Sequence, residues 1–199
     1  MKRVFVSALL VFLSWNANAL EVVGVKVPEK MQSGEQALVL NGAGSRFMAG
    51  VIDVYVIALY LPENKHTVAE VLEEERSKNV TIWFLTPLGV KVTSEQLLDA
   101  THKLMSENMS AEELTKLDSS WKKFAAFFDN IKEFKKEDQL SLDYQPNKEM
   151  RVSMNGKELG RVAGADFMRA FLLVWLGAQP AQDDLKGKLL GLPLAAAKR

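Results

Sequence analysis

The 199 residues carry 25 Lys plus Arg against 25 Asp plus Glu, with two His and no Cys. A balanced, mixed-sign charge argues against nucleic acid as a partner, since phosphate binding needs a basic stripe. The absence of cysteine excludes disulfides and a lipid-bearing cysteine and argues against a structural zinc site; neither a metal nor a cofactor is expected.

Residues 1–19 read as an address rather than as part of the fold. Lys2 and Arg3 precede an apolar run from Val4 to Leu13, and Ala17-Asn18-Ala19 is a small-x-small cleavage site. This is the pattern of a secretory signal peptide, with a run too short for a bilayer span of about 20 residues. Cleavage after Ala19 is expected to leave one domain, residues 20–199, in a periplasmic or secreted location. Loss of Lys2 and Arg3 would leave 23 basic against 25 acidic residues. A domain of this size buries roughly 70% of its unfolded surface, enough to dispense with disulfides. No later apolar run reaches about 18 residues, so no membrane span is expected in the mature chain.

Glu21 to Val27 alternates like an edge strand that stops at Pro28, and polar Lys30–Gln36, with Gly34, reads as a loop. Leu38–Phe47 and Val51–Leu61 are apolar and β-branched runs around a turn near Ala49-Gly50, the pattern of two buried strands. Gly42-x-Gly44 is not read as a nucleotide loop, because no helix follows directly and no Lys-Ser/Thr is present. Each strand holds a polar outlier, Arg46 and Tyr55. A guanidinium or a phenol beside buried strands costs free energy unless it meets a partner. That partner is either a ligand anion or, more plainly, Asp53 for Arg46 and a backbone carbonyl for Tyr55.

Thr67, with Glu70 three residues on, predicts a capped helix over Val68–Ser77, followed by a strand over Val80–Thr86. A helix is predicted from Thr93 or Ser94 to about Glu107. The next opens at Ser110, with Glu113 in the capping-box position and a stripe of Leu114, Leu117, Trp121, Phe124, Ala125 and Phe128. The crowding of Trp121, Phe124, Phe127 and Phe128 fits either ordinary aromatic core or one wall of an apolar pocket. Three strands follow at Gln139–Gln145, Met150–Met154 and Lys157–Val162, the last two joined by the hairpin signal Asn155-Gly156. Ala165–Leu176 is an apolar helix with Gly177 expected as a left-handed cap. Ala181–Leu190 is an amphipathic last helix, and residues 192–199 form a loose tail. Strands, then helices, then strands and helices again predict an α+β fold, a large antiparallel sheet backed by a layer of helices.

The catalytic inventory is thin. His66 and His102 stand apart on polar positions, and no Gly-x-Ser-x-Gly elbow occurs. Arg46 and Tyr55 remain. A guanidinium presents a planar fork that matches a carboxylate, and a phenol adds a donor at a second angle. Together with apolar walls they suit a fatty acid or another lipophilic carboxylate.

Asn-Gly-Ala-Gly-Ser-Arg at 41–46, followed by Asp-Val-Tyr-Val-Ile-Ala-Leu-Tyr-Leu at 53–61, resembles the signature of the chalcone isomerase-like family, in its bacterial secreted branch. The resemblance resumes at Phe167–Leu190. It implies the open-faced sandwich of that family. In the family's isomerase branch the Arg of this motif stabilises an oxyanion, and in the plant fatty-acid-binding branch it holds the ligand carboxylate. Arg46 matches it. Tyr55 matches the Tyr that shares the carboxylate in the binding branch, where the isomerases carry a Thr. The spacing from Arg46 to Tyr55 is shorter than in the plant proteins. The isomerases also use a helical Tyr and Asn, and alignment on Ser94-Glu95 puts Thr93 and Ala100 there, neither able to do that chemistry. The resemblance therefore implies a secreted, non-catalytic protein binding a fatty acid or similar lipophilic carboxylate between sheet and helices. The alternatives are an intramolecular lyase or isomerase acting on an unsaturated carbonyl compound, with Arg46 as oxyanion stabiliser, and an envelope interaction protein in which Arg46 is structural.

Overall fold

The computed structural model describes residues 19–48 and 52–193. The predicted leader up to residue 18, the turn at Ala49-Gly50 and the tail from residue 194 lie outside them.

The chain begins with two short paired strands, β1 (Ala19–Val22) and β2 (Val25–Pro28). The expectation of a single strand over Glu21–Val27 is thus corrected to a hairpin. Its turn places Val23 at φ 47° and Gly24 at φ 78°. Val23 is a β-branched residue in a left-handed conformation, so the local residue types concealed the turn. Lys30–Gln36 is likewise not a plain loop, because Lys30–Ser33 forms β3 and pairs with β4 (Gln36–Met48). β3 is an edge strand, and its polar sequence fits that exposed position.

β5 (Ile52–Leu61) pairs with β4 on one side and with β6 (Lys78–Phe84) on the other. It is buried on both faces. Tyr55, Ile57, Leu59 and Leu61 join the main core, while Val56, Ala58 and Tyr60 join a second cluster with Val27 and Leu38. Between β5 and β6, α1 (Val68–Leu72) has the predicted capping box of Thr67 and Glu70 but ends at Glu73, short of Ser77. Carboxylates at Glu73, Glu74 and Glu75 would face the negative end of a longer helix dipole.

A two-residue pairing of β7 (Val92–Thr93) with β8 (Glu133–Phe134) brackets α2 (Ser94–Asn108) and α3 (Ala111–Ala126). Both helices start at capping boxes, on Thr93 with Gln96 and on Ser110 with Glu113. β9 (Gln139–Tyr144), β10 (Met150–Met154) and β11 (Lys157–Val162) complete the sheet, with Asn155 and Gly156 in the turn at φ 51° and 78°. The result is one seven-stranded antiparallel sheet in the order β11-β10-β9-β6-β5-β4-β3. The sheet curls enough that Gln145, after β9, donates to the Ser33 hydroxyl near its far edge at 3.3 Å.

α4 (Ala165–Leu176) matches its predicted range and is buried on nearly every side, as a helix apolar all round must be. It lies between the sheet and α2. Phe124 of α3 is 1% exposed and packs against Phe128, Phe167 and Phe171 at centroid distances of 5.2, 5.5 and 5.6 Å. Phe124 and Phe128 are therefore interior packing, while Trp121 and Phe127 are half-buried, Phe127 against Gly160 of β11. Gly177 caps α4 in an extended conformation, φ −66° and ψ −176°, not the expected left-handed one. Glycine is needed there for space: a Cβ would lie 2.1 Å from Asn108 Oδ1. α5 (Asp183–Leu189), slightly shorter than predicted, packs on β4. No helix among the described residues is long and apolar enough to cross a membrane.

Candidate functional site

Arg46 and Tyr55 are directly opposed across β4 and β5. Directly opposed residues of an antiparallel pair project to the same face. Tyr55 belongs to the core between sheet and helices, so Arg46 stands on that face as well. A bulge immediately after Arg46 re-aims the strand end there.

Gly42 and Gly44 precede Arg46 on the same face, beneath α5. A Cβ on Gly42 would fall 1.9 Å from the Lys188 carbonyl oxygen, and one on Gly44 would fall 2.8 Å from Leu185 Cδ1. The glycine pair of the motif thus lets a helix lie directly on the strand. α5 is held at its far end by Asn41 Nδ2 donating to the Leu189 carbonyl at 2.7 Å and by His66 Nδ1 meeting the Leu190 carbonyl at 2.8 Å.

The plain partners expected for the two polar groups are not the ones found. Among the described residues no ion pair joins Arg46 to Asp53. Instead Arg46 Nη1 donates to the Phe47 carbonyl and to Gln182 Oε1, the latter at 3.3 Å. Tyr55 meets a side chain rather than a backbone carbonyl: Trp175 Nε1 donates to its hydroxyl oxygen at 2.9 Å. Since the indole is donor only, the phenolic hydrogen stays available to donate in turn. Burial pushes the Tyr55 hydroxyl up to about 12, against the opposing pull of the Trp175 hydrogen bond and the Arg46 charge. The phenol is therefore neutral and acts as a donor at physiological pH. Phe84 lies edge-on to Tyr55 at 6.4 Å, and Phe171 lies edge-on to Trp175 at 5.2 Å.

Sequence reasoning missed two members of this group. Trp175 lies inside an apolar helix, and its one signal is that a buried indole N–H needs an acceptor. Gln182 sits at the N-cap position of α5, where Ser, Thr, Asp and Asn are favoured. It makes no side-chain cap. Its Oε1 accepts from Arg46 and from the Phe47 N–H at 3.1 Å, and its Nε2 donates to the Ser45 carbonyl at 3.3 Å.

The positions aligned with the isomerases' helical Tyr and Asn bring no acid or base to the site. Thr93 Oγ1 is used to cap α2, and Ala100 is exposed. His102 is exposed and lies 4.9 Å from the Trp121 ring, away from the pair. Three open surface clefts, of about 380, 430 and 230 Å³, lie beside Tyr144, Thr93 and Asp143 respectively, and none of the three is lined by Arg46 or Tyr55. Around the pair itself, Trp175 and Gln182 occupy the space between sheet and helices.

A family model described as chalcone isomerase-like matches residues 19–191. Among solved structures, the crystal structure of an Arabidopsis thaliana fatty-acid binding protein is similar, with a TM-score of 0.63 over 84% of this chain and 92% of that chain. The two sequences are 17% identical, so the likeness establishes the fold. No curated protein sequence matches the chain at a significant level.

Proposed function

The chain belongs to the chalcone isomerase-like family, and on that premise we propose that it is a non-catalytic binding protein for a fatty acid or similar lipophilic carboxylate. In this reading it is exported by its leader, as expected of a bacterial secreted branch, and acts in the periplasm or outside the cell. The ligand's carboxylate lies on Arg46 and Tyr55, and its chain runs between the sheet and the helices.

The observation that carries the reading is the pairing of Arg46 with Tyr55 on one face of the sheet, with the guanidinium bonded, among the described residues, to neutral oxygens alone. A half-buried cation with no carboxylate partner among the described residues favours an incoming anion, because a charge-assisted hydrogen bond is roughly twice as strong as a neutral one. The free phenolic hydrogen of Tyr55 supplies a second donor. Apolar side chains of the core, Phe84 and Phe171 among them, surround the pair and suit a lipophilic tail. Likeness to a fatty-acid binding protein agrees with this reading.

Native mass spectrometry of freshly purified protein is expected to reveal a bound fatty acid. A fatty acid added at a hundredfold excess over its dissociation constant should stabilise the fold by about 2.7 kcal/mol. Arg46→Ala should lose both effects while keeping the wild-type circular dichroism. If organic extraction yields no lipid and added fatty acids leave the melting temperature unchanged, the reading fails.

A further inference from the structure

We propose that Gln182 is a built-in competitor that sets the affinity of this site by holding the place on Arg46 that a ligand carboxylate must take. The inference rests on the carrier reading above and extends it to one residue.

Gln182 is unusual among the helix starts of this chain. Thr67, Thr93 and Ser110 all spend their side chains on capping the helix they begin. Gln182 occupies the same position at α5 and does not cap it. Its carboxamide instead reaches back to β4 and bonds on both sides. The oxygen accepts from Arg46 Nη1 at 3.3 Å and from the Phe47 N–H at 3.1 Å. The nitrogen donates to the Ser45 carbonyl at 3.3 Å and to Asp184 Oδ1 at 2.7 Å. A carbonyl oxygen flanked by a guanidinium and a backbone N–H sits where one carboxylate oxygen would sit. The protein thus carries its own neutral mimic of a carboxylate head.

Displacing the mimic does not require the helix to leave. α5 is pinned elsewhere, by Asn41 on the Leu189 carbonyl, by His66 at the Leu190 carbonyl, and by Lys186 Nζ donating to the Gly177 carbonyl at 2.7 Å. Gln182 can swing aside while α5 stays seated on Gly42 and Gly44.

The ligand's charge, rather than the competitor, discriminates between ligand classes, since any head group that takes Arg46 must displace Gln182. A carboxylate replaces the amide oxygen with a charge-assisted bond and gains by the exchange. An alcohol or ester replaces it with another neutral bond and gains nothing. The protein should therefore bind a fatty acid more tightly than the alcohol or methyl ester of the same chain length, and Gln182 should weaken every head group that reaches Arg46.

Displacement of a fluorescent fatty-acid probe by these three ligands tests the inference. The wild type is expected to bind the acid roughly tenfold or more tighter than the alcohol, the ratio that separates charged from neutral hydrogen bonds. Gln182→Ala removes the competitor, so the acid should tighten severalfold, the alcohol by no more than the acid, and the acid-to-alcohol ratio should not narrow. Gln182→Asn, too short to reach Arg46, should behave like Gln182→Ala and guards against a folding defect in either one. Gln182→Glu places a tethered carboxylate on the guanidinium and should weaken the acid strongly. Unchanged acid affinity in Gln182→Ala and Gln182→Asn, in a protein whose acid binding is lost with Arg46→Ala, would overturn the role of Gln182 and leave the carrier reading standing. Failure of the wild type to bind any of the three, or wild-type binding by Arg46→Ala, would remove the carrier reading and this inference with it.

Discussion

Trp175 of α4 donates its indole N–H to the hydroxyl oxygen of Tyr55 on β5, a bond of 2.9 Å between residues 120 apart in sequence. It is a buried polar contact that ties the central helix to the central region of the sheet. Tyr55→Phe would remove the acceptor and leave a buried donor unsatisfied, at a cost of about 1–3 kcal/mol. Urea unfolding should read that loss. Adding Trp175→Phe removes the orphaned donor, so the double variant should lose less than the sum of the two single variants, the sign expected of a direct contact.

The two glycines of the β4 motif and the one inside α5 predict opposite outcomes for the same substitution. At Gly42 a Cβ would meet the Lys188 carbonyl oxygen at 1.9 Å, so Gly42→Ala must push α5 off the strand. A loss of about 1–3 kcal/mol or more follows from overpacking against backbone. Gly187 has nothing within 4 Å of an added Cβ and lies in the helix itself. Gly187→Ala should therefore stabilise the protein by up to about 1 kcal/mol through helix propensity. Thermal melts of the two variants should move in opposite directions.

Truncating Phe124 tests the interior packing of the aromatic cluster of α3. Its ring is buried against Phe128, Phe167 and Phe171. Phe124→Ala should cost about 3–5 kcal/mol, the range for a buried aromatic truncated to alanine. A change in ligand affinity with wild-type stability would instead mark it as a pocket wall.

Lys78 makes stability depend on pH in the alkaline range. The residue is 3% exposed, with its ammonium donating to the Glu73 carbonyl at 2.6 Å. Burial, followed by the Arg76 charge, pushes its amine down to about 8 from an unfolded value of 10.5. Between those values the unfolded chain holds the proton and the folded chain releases it, so stability rises with pH. From pH 8 to 9.5 the gain should be about 1–2 kcal/mol. The phenols of Tyr55 and Tyr60 act in the opposite sense, since burial raises both, but only above about pH 10 where the unfolded phenol ionises. Denaturant midpoints measured from pH 7.5 to 9.5 should rise in the wild type and stay flat in Lys78→Met.

Much of the architecture could be read along the chain because its causes are local. The boxes at Thr67 and Ser110 act over three residues, and Asn155-Gly156 turns a hairpin by its own backbone preference. The range of α4 and the three late strands were legible for the same reason. Where a distant neighbour supplies the cause, the reading went astray. Val23 turns a hairpin without being a turn residue, and β3 is a strand only because β4 offers it an edge. Gly177 is a glycine because Asn108 crowds it, not because its backbone is left-handed.

The same division runs through the site. Sequence alone determined that Arg46 and Tyr55 are polar groups set in buried strands, because alternation along a strand assigns each residue a face. Tertiary structure alone decided what they touch. The register of β4 on β5 places them side by side, α4 brings an indole to the phenol, and α5 brings a carboxamide to the guanidinium. A charge and a hydroxyl advertise in sequence that they need partners, but a hydrogen bond is made within about 3 Å in space, and that distance is closed only when the helices settle on the sheet.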